Sequence, residues 1–528
     1  MTQLVGRSGQ SRSSRGCTMF VSVRTVAIGV VVISLVAGNF EPHFEEGRDV
    51  IVQLFEWRFE DIARECREYL GPNGFGGVQL APVNEVRDGG SWADRYEPVS
   101  YRLLSRSGNE PALRSMVDTC NEAGVRVYVE VVLNHMARTP SNQETGSIRG
   151  TGGSIANPGA RDYPGVPYSA EDFNAPCQLT NPCDAHALRN CWKENRPDLN
   201  LGLSRVRQRI VDFLNRLLAI GVAGFFIDSA LYMWPHDLRA IYEQLHNLST
   251  AGGIFPPRTR PFICLDLSYH GSGIKDVSWT EYAALGRIAH NRFAYDIGDV
   301  LLKRKPFHYF VNLGTRLGYI PREKALVYAS SPQLQRLTDA DGDLRVVSVK
   351  NRRAYQIAMA FMLAHRYGLA RVTSSYEFNA PYEGPPSDAQ GNIIPVELDD
   401  EGSCRKPWIC EHRWPVVQKM VRFRAAAHGA DVVSWVDNGQ NQIAFCRDRI
   451  GFVAFNAENS LILKTNVYTC LGEGLYCDLI SGEATPVNPE GDCTGTSVAV
   501  DEEGRANVFI RGNLNEPFLA LLASTRSN

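Results

Sequence analysis

The feature that most restricts this chain is a rhythm of short apolar runs. Seven of them, at residues 50–55, 77–80, 125–133, 224–227, 262–265, 325–328 and 368–372, alternate with helical stretches, of which residues 59–70 have clear helical periodicity. Runs that are apolar at nearly every position read as strands covered on both faces, as in a parallel sheet wrapped by helices. An α/β barrel fits this pattern best. Between residues 135 and 200 the rhythm gives way to a Gly/Pro/Asn-rich stretch. It is too long for an ordinary loop and reads as an inserted subdomain. After about residue 430 the pattern changes to alternating strands without long helices, at residues 442–446, 451–456 and 507–510. That is a separate all-β domain.

Composition narrows the function classes. The 528 residues suggest about three domains at a prior of ~150 each. With 44% hydrophobic and 21% charged residues the chain can bury a core. Lys and Arg total 55 against 58 Asp and Glu, a net charge of −3. No long basic run offsets it, so a partner attracted by bulk positive charge, nucleic acid or an anionic membrane, is excluded.

The N-terminus reads as a leader. Arg7, Arg12, Arg15 and Arg24 precede an uncharged stretch, residues 26–38, ending in Val36-Ala37-Gly38. Its length falls short of the ~20 residues that span a bilayer, so the segment is expected to be a signal peptide cleaved after Gly38 rather than an anchor. Translation starts at Met1 or Met19. Removing Cys17 leaves 13 − 1 = 12 cysteines, an even number that suits disulfides in a secreted chain. No CxxC pair suggests zinc, Cys404/Cys410 and Cys477/Cys493 suit local staples, and Cys264 in an apolar run reads as a buried thiol. Asn247-Leu248-Ser249 is a glycosylation sequon in a secreted protein.

Several stretches point to one family: Leu54-Phe55-Glu56-Trp57, Tyr69-Leu70-Gly71-Pro72-Asn73-Gly74-Phe75-Gly76-Gly77-Val78-Gln79, Arg95-Tyr96-Glu97-Pro98-Val99-Ser100-Tyr101, Asn134-His135-Met136, Phe361-Met362-Leu363-Ala364-His365, Cys410-Glu411-His412-Arg413-Trp414 and Tyr476-Cys477-Asp478. From about residue 40 onward the chain resembles the animal α-amylases of glycoside hydrolase family thirteen. The resemblance implies a (β/α)8 TIM barrel at residues 39–134 and 201–429, a calcium-binding subdomain inserted after strand three at 135–200, and a C-terminal β-sandwich at 430–528. In such barrels the chemistry sits at the C-terminal ends of the strands.

A retaining glycosidase of this kind needs a nucleophile and an acid/base carboxyl, and the family adds a third carboxylate. The resemblance puts the nucleophile at Asp228. It puts Asp266, one methylene shorter than the family's glutamate, at the acid/base position. It puts uncharged Gln333 at the third, with Pro332 where the family has histidine. Phe226 stands where the family has an arginine beside the nucleophile, and a buried carboxyl without a counter-charge is a poorer nucleophile at neutral pH. Of the chloride-binding positions only Arg353 is expected to be retained, with Phe226 and Ser331 at the others, so no chloride site is expected.

Other family positions are kept. Trp92 and Tyr96 match sugar-stacking aromatics and His135 a sugar-binding histidine, while a second tryptophan has become Ala93. Calcium ligands carry over as Asn134 and Asp198 by side chain, and Arg189 and Tyr232 by backbone carbonyl. The run Asp339-Ala340-Asp341-Gly342-Asp343 has Lys350 where a calcium loop requires glutamate and reads as a solvated turn. Bridges Cys66–Cys120, Cys404–Cys410 and Cys477–Cys493 follow from the resemblance; Cys191 pairs with Cys177 or Cys183, and Cys446 with Cys470.

Misplaced acid catalysis costs roughly 10²–10⁴-fold and a lost electrostatic stabiliser roughly 10²–10³. The first expectation is therefore a secreted amylase-like protein with lost or strongly reduced hydrolysis, whose ligand is an α-glucan or oligosaccharide, with a protein partner as a further option. The alternative is an active endo-acting α-amylase that hydrolyses starch or glycogen with retention. A third reading, the membrane-anchored heavy chain of an amino-acid transporter, is opposed by the short hydrophobic run and the animal-amylase motifs.

Overall fold

Eight parallel strands close into a barrel in the order β1-β8-β7-β6-β5-β4-β3-β2. They are β1 (Val50–Leu54), β2 (Gly77–Leu80), β3 (Arg126–Val132), β4 (Gly224–Asp228), β5 (Phe262–Asp266), β6 (Arg287–Ala289), β7 (Ala325–Val327) and β8 (Leu369–Ser374). The computed structural model describes residues 40–140, 146–179, 184–268, 277–337, 344, 346–459, 461–482 and 493–527. The leader, Cys183 and the acidic run at 339–343 lie outside the described residues. Seven strands coincide with the seven apolar runs. The eighth, β6, has three residues and opens on charged Arg287, which breaks the apolar run. No helix among the described residues is long and apolar enough to cross a membrane.

Helices α1 (Phe59–Glu65), α2 (Glu110–Glu122), α4 (Ser204–Ile220), α5 (Pro235–Tyr242), α6 (Arg292–Leu301), α7 (Arg352–Ala364) and α8 (Pro415–Ala426) follow strands of the barrel; α3 (Ala185–Asn190) lies in the long excursion between β3 and α4. Helix α4 shows why these segments are helical. Val206, Ile210, Phe213, Leu214 and Leu217 recur at three- and four-residue steps and are buried, and Gly221 ends the helix in the left-handed conformation with φ 104°. Strand β4 starts with Gly224 because a Cβ there would collide with the Phe262 carbonyl of β5.

The C-terminal domain stacks two antiparallel sheets. One is β9 (Val432–Asp437), β10 (Gln442–Arg447), β11 (Gly451–Asn456) and β16 (Phe518–Leu522), in that order. The other contains β12 (Ile462–Tyr468), β13 (Gly474–Cys477), β14 (Ser497–Val500), β15 (Arg505–Arg511) and β17 (Arg526–Ser527), in the order β12-β15-β14-β13-β17. Strand β15 alternates exposed and buried residues, one face to water and one to the sandwich. Strand β11 is buried throughout. Its Phe452 and Ala454 join the sandwich core, while Val453 and Phe455 join the barrel's core.

Among the described residues five disulfides are formed: Cys66–Cys120, Cys177–Cys191, Cys404–Cys410, Cys446–Cys470 and Cys477–Cys493. Cys177 is thus the partner of Cys191. Cys264 is a free buried thiol, with its pKa pushed up to about 12 by burial.

Candidate active site

Asp228 closes β4 and Asp266 closes β5, adjacent strands whose last register pair is Ile227 and Leu265. Their carboxyls therefore stand side by side at the C-terminal rim. Gln333 enters from the loop after β7, at the head of a 3₁₀ turn, Leu334–Arg336. Trp92 and Tyr96 come from the loop after β2, and Lys193 from the β3–α4 excursion. These six side chains line a cleft of about 470 Å³. A cavity of about 30 Å³ beneath it shares Tyr96, Asp228, Asp266 and Gln333 and adds Glu130 and Arg371.

Asp228 is buried and its Oδ2 accepts from Ser229 Oγ at 2.7 Å. Burial raises its pKa, Lys193 opposes that rise, and the Asp266 carboxylate adds to it. Ser229 in turn accepts from Lys193 Nζ at 2.8 Å. Asp266 is held differently: its Oδ1 accepts from the backbone N–H of Ser268 at 2.8 Å, within its own loop. Ser268 Oγ lies 3.1 Å from the Tyr328 hydroxyl. Gln333 brings no charge to the cleft.

Phe226 packs edge-on against Tyr128 and Phe262, with ring centroids 6.2 and 6.0 Å away. The assignment of Arg353 to the chloride cluster is corrected. Arg353 lies in the first turn of α7, outside the strand ring, and its Nε donates to the Leu514 carbonyl of the C-terminal domain at 2.8 Å. The arginine inside the barrel is Arg371 of β8. Its guanidinium lies 5.9 Å from the Phe226 ring and 4.4 Å from that of Tyr328, and Nη1 donates to Gln79 Oε1 at 3.0 Å.

Glu130 was not anticipated from the sequence. It stands on β3 in register with Phe226 and accepts from the Tyr96 hydroxyl at 3.2 Å. Burial, with Asp228 and Asp266 nearby, pushes its pKa up to about 8, so it holds a proton at neutral pH. A glutamate inside an otherwise apolar strand is the signal that marks it. Lys193 and Ser229 carried no such signal, because only the folded chain brings them together.

Trp92 Nε1 donates to the Pro381 carbonyl at 2.8 Å, and its ring meets Tyr96 edge-on. Next to Pro381, Tyr382 is 71% exposed and also lines the cleft, a rim aromatic that the sequence reading missed. His135, the expected sugar-binding histidine, stands against Tyr96 of the cleft. The ring is 2% exposed, Nε2 lies 3.2 Å from the Tyr96 carbonyl, and the residue is absent from the cleft lining. It supports the wall from behind.

Of the expected calcium ligands, Asn134, Arg189 and Tyr232 border one cavity and Asp198 bonds to Asn134. Asp198 accepts from Asn134 Nδ2 at 3.0 Å and from Asn174 Nδ2 at 2.7 Å. Burial holds its pKa well above the usual range. Asn134, Arg189 and Tyr232 line one cavity of about 190 Å³. A buried carboxylate that meets only amide donors suits a hard cation. Among the described residues no cluster of three or more His, Cys, Asp or Glu could hold a metal, and the expected ligand set contains only one carboxylate, Asp198.

Residues 433–519 match the model of the α-amylase C-terminal all-beta domain. The alpha-amylase-related protein of Drosophila pseudoobscura pseudoobscura is 40% identical over 510 residues, which span 96% of this chain and 100% of that protein. The alpha-amylase-related protein of Drosophila varians is 41% identical over 505 residues, 95% of this chain and 99% of the other. Among solved structures, a mutant of alpha-amylase I from Eisenia fetida in complex with maltohexaose superposes with a TM-score of 0.84 at 35% identity, covering 92% of this chain and 99% of that one. With its barrel, its C-terminal domain and near full-length relatives at this identity, the chain belongs to the α-amylase family, glycoside hydrolase family thirteen.

Proposed function

We propose that this is a secreted, calcium-stabilised member of the α-amylase family whose cleft binds α-1,4-glucan and whose hydrolysis is strongly reduced. The observation that carries the reading is the asymmetry at the rim. Asp228 sits at the end of β4, but Asp266 is bonded back to its own loop through Ser268 N–H, and neutral Gln333 occupies the third position. In a retaining reaction Asp228 attacks the anomeric carbon while a second carboxyl protonates the leaving oxygen. Asp266 has a shorter stem and an oxygen already engaged, so protonation is the deficient step. Gln333 cannot stabilise the positive charge that develops on the sugar. Turnover at least ~10⁴-fold below that of an ordinary amylase follows.

Binding does not need the missing charges. Trp92, Tyr96 and the exposed Tyr382 offer aromatic surface, and the similar alpha-amylase I mutant from Eisenia fetida is in complex with maltohexaose. Asn134 and Asp198 by side chain, with the carbonyls of Arg189 and Tyr232, would hold calcium and so tie the excursion to the barrel. The five disulfides support export to an oxidising compartment. The decisive test is digestion of starch and maltooligosaccharides by the purified mature chain, with Asp228→Asn as blank. Turnover at ordinary amylase rates, abolished in the blank, would replace this reading with that of a working α-amylase.

A further inference from the structure

Lys193 belongs to the β3–α4 excursion, where it opens a short turn, Lys193–Asn195, yet its ammonium reaches the β4 rim. Nζ donates to Ser229 Oγ at 2.8 Å, and Ser229 Oγ donates to Asp228 Oδ2 at 2.7 Å. The ammonium also lies 4.8 Å from the centre of the Tyr232 ring, which fixes its position by a cation–π contact. Ser229 holds a left-handed backbone, φ 54°, which is costly for a residue with a Cβ. That turn leaves its hydroxyl between the two charges.

Phe226, the residue two before Asp228 on β4, is apolar and packed among rings. The barrel-interior cation, Arg371, faces Phe226 and Gln79. Neither gives Asp228 a hydrogen-bonded positive charge. We propose that Lys193, acting through the Ser229 hydroxyl, is a positioning residue that supplies the counter-charge which Phe226 cannot give to Asp228. The arm transfers no proton: Lys193 and Ser229 keep theirs throughout. Its effect is on the attack, in which an Asp228 oxygen forms an ester bond to the anomeric carbon while the bond to the leaving group breaks and its electron pair departs with that group. The excursion thereby becomes part of the nucleophile's machinery. The inference rests on the reading of Asp228 as the nucleophile of a retaining site.

The test isolates that one step. In α-maltosyl fluoride the leaving fluoride departs as an anion and needs no proton, so the weakness at Asp266 is bypassed. Ester formation on Asp228 is followed at saturating substrate by intact mass and peptide mapping. Lys193→Met should slow it about tenfold to a hundredfold, and Lys193→Arg should restore most of the rate. Ser229→Ala should slow it to a similar extent. The double variant Lys193→Met/Ser229→Ala should be no slower than the worse single, because the two groups form one arm. Melting curves establish folding, and if Lys193→Met does not fold, Ser229→Ala alone decides. Ester formation at the wild-type rate in Lys193→Met or Ser229→Ala, or an arginine variant as slow as the methionine one, overturns the arm. A wild-type chain that forms no ester at Asp228 overturns the nucleophile reading itself.

Discussion

The β4 wall of the cleft and the β5–β7 wall are built on different terms. At the β4 wall Asp228 is buried, accepts from Ser229, and is followed by a cation from another part of the chain. At the neighbouring β5–β7 wall Asp266 is bonded to its own loop, and Gln333 has no charge to hold. Strand-end position alone does not make a catalytic group. The neighbours that orient it and set its charge decide what it can do, and here those neighbours differ across one cleft. Because a retaining reaction takes its nucleophile from one wall and its proton from the other, such a cleft can keep the first ability and lose the second.

The largest expected effect comes from rebuilding the poorer wall. Asp266→Glu with Pro332→His and Gln333→Asp should raise starch hydrolysis by at least about 10²-fold, more than any of the three alone, because these groups act as a unit. Reducing-sugar release measures it, and Asp228→Asn in the rebuilt background should abolish the gain. No gain in the triple variant would mean that the β4 wall is the deficient one, which reverses the comparison.

Next in size is a pH effect at the floor between the walls. Glu130 has a folded pKa of about 8, above the ordinary carboxyl value of 4.5. The folded state therefore binds this proton more tightly than the unfolded chain does. Its stabilising contribution is fully present below about pH 4.5 and is lost as pH rises towards 8. Across that window the wild type should lose about 2–4 kcal/mol relative to Glu130→Gln, which stays neutral. Denaturant melts of the two proteins at pH 5 and pH 8.5 give the difference. Parallel pH dependence would show that Glu130 is not the shared proton holder beside Asp228 and Asp266.

Calcium in the proposed site would bear on the β4 wall, since its expected ligands lie in or beside the excursion that carries Lys193. Chelation should lower stability by about 2–3 kcal/mol relative to calcium at roughly 100 times its Kd, a shift of a few degrees in Tm. Asp198→Asn should remove most of that response. A Tm unchanged after verified metal removal counts against the site, and the β4 wall would then stand without metal.

Much of the architecture was legible because burial on both faces writes a strand as a continuous apolar run, and seven of eight barrel strands are written that way. Strand β6 was not, since Arg287 leaves only Ile288-Ala289 as an apolar pair, whereas the equally short β7 is apolar throughout. The rim positions Asp228, Asp266 and Gln333 were legible through motifs local in sequence. Arg353 and Arg371 show the limit of that reading. Both are arginines near the expected place in the chain, and only the inward alternation of β8, against the outer position of α7, tells which one enters the barrel. His135 keeps its place in the motif, and its Nε2 meets the Tyr96 carbonyl. The Lys193–Ser229–Asp228 arm joins residues 36 positions apart through a side-chain bridge, and nothing in the local sequence encodes that.

The smallest expected effect belongs to the aromatic platform. Trp92 is fixed by its indole N–H on the Pro381 carbonyl and by edge contacts with Phe55 and Tyr96, and it meets the β5–β7 wall through Arg336, 5.5 Å from its ring, a residue that the triple variant leaves unchanged. Its contribution to glucan binding should therefore be the same in the wild type and in the rebuilt triple variant. Trp92→Ala should weaken maltohexaose binding about tenfold in both, the scale of one aromatic contact with its buried area, as read by calorimetry on Asp228→Asn backgrounds that do not consume the ligand. The ester-forming rate at saturating α-maltosyl fluoride should hardly change, because stacking acts on ground state and transition state alike. A tenfold loss in only one background would show that the platform is coupled to the β5–β7 wall. An unchanged Kd in both would place the glucan elsewhere than beside Trp92.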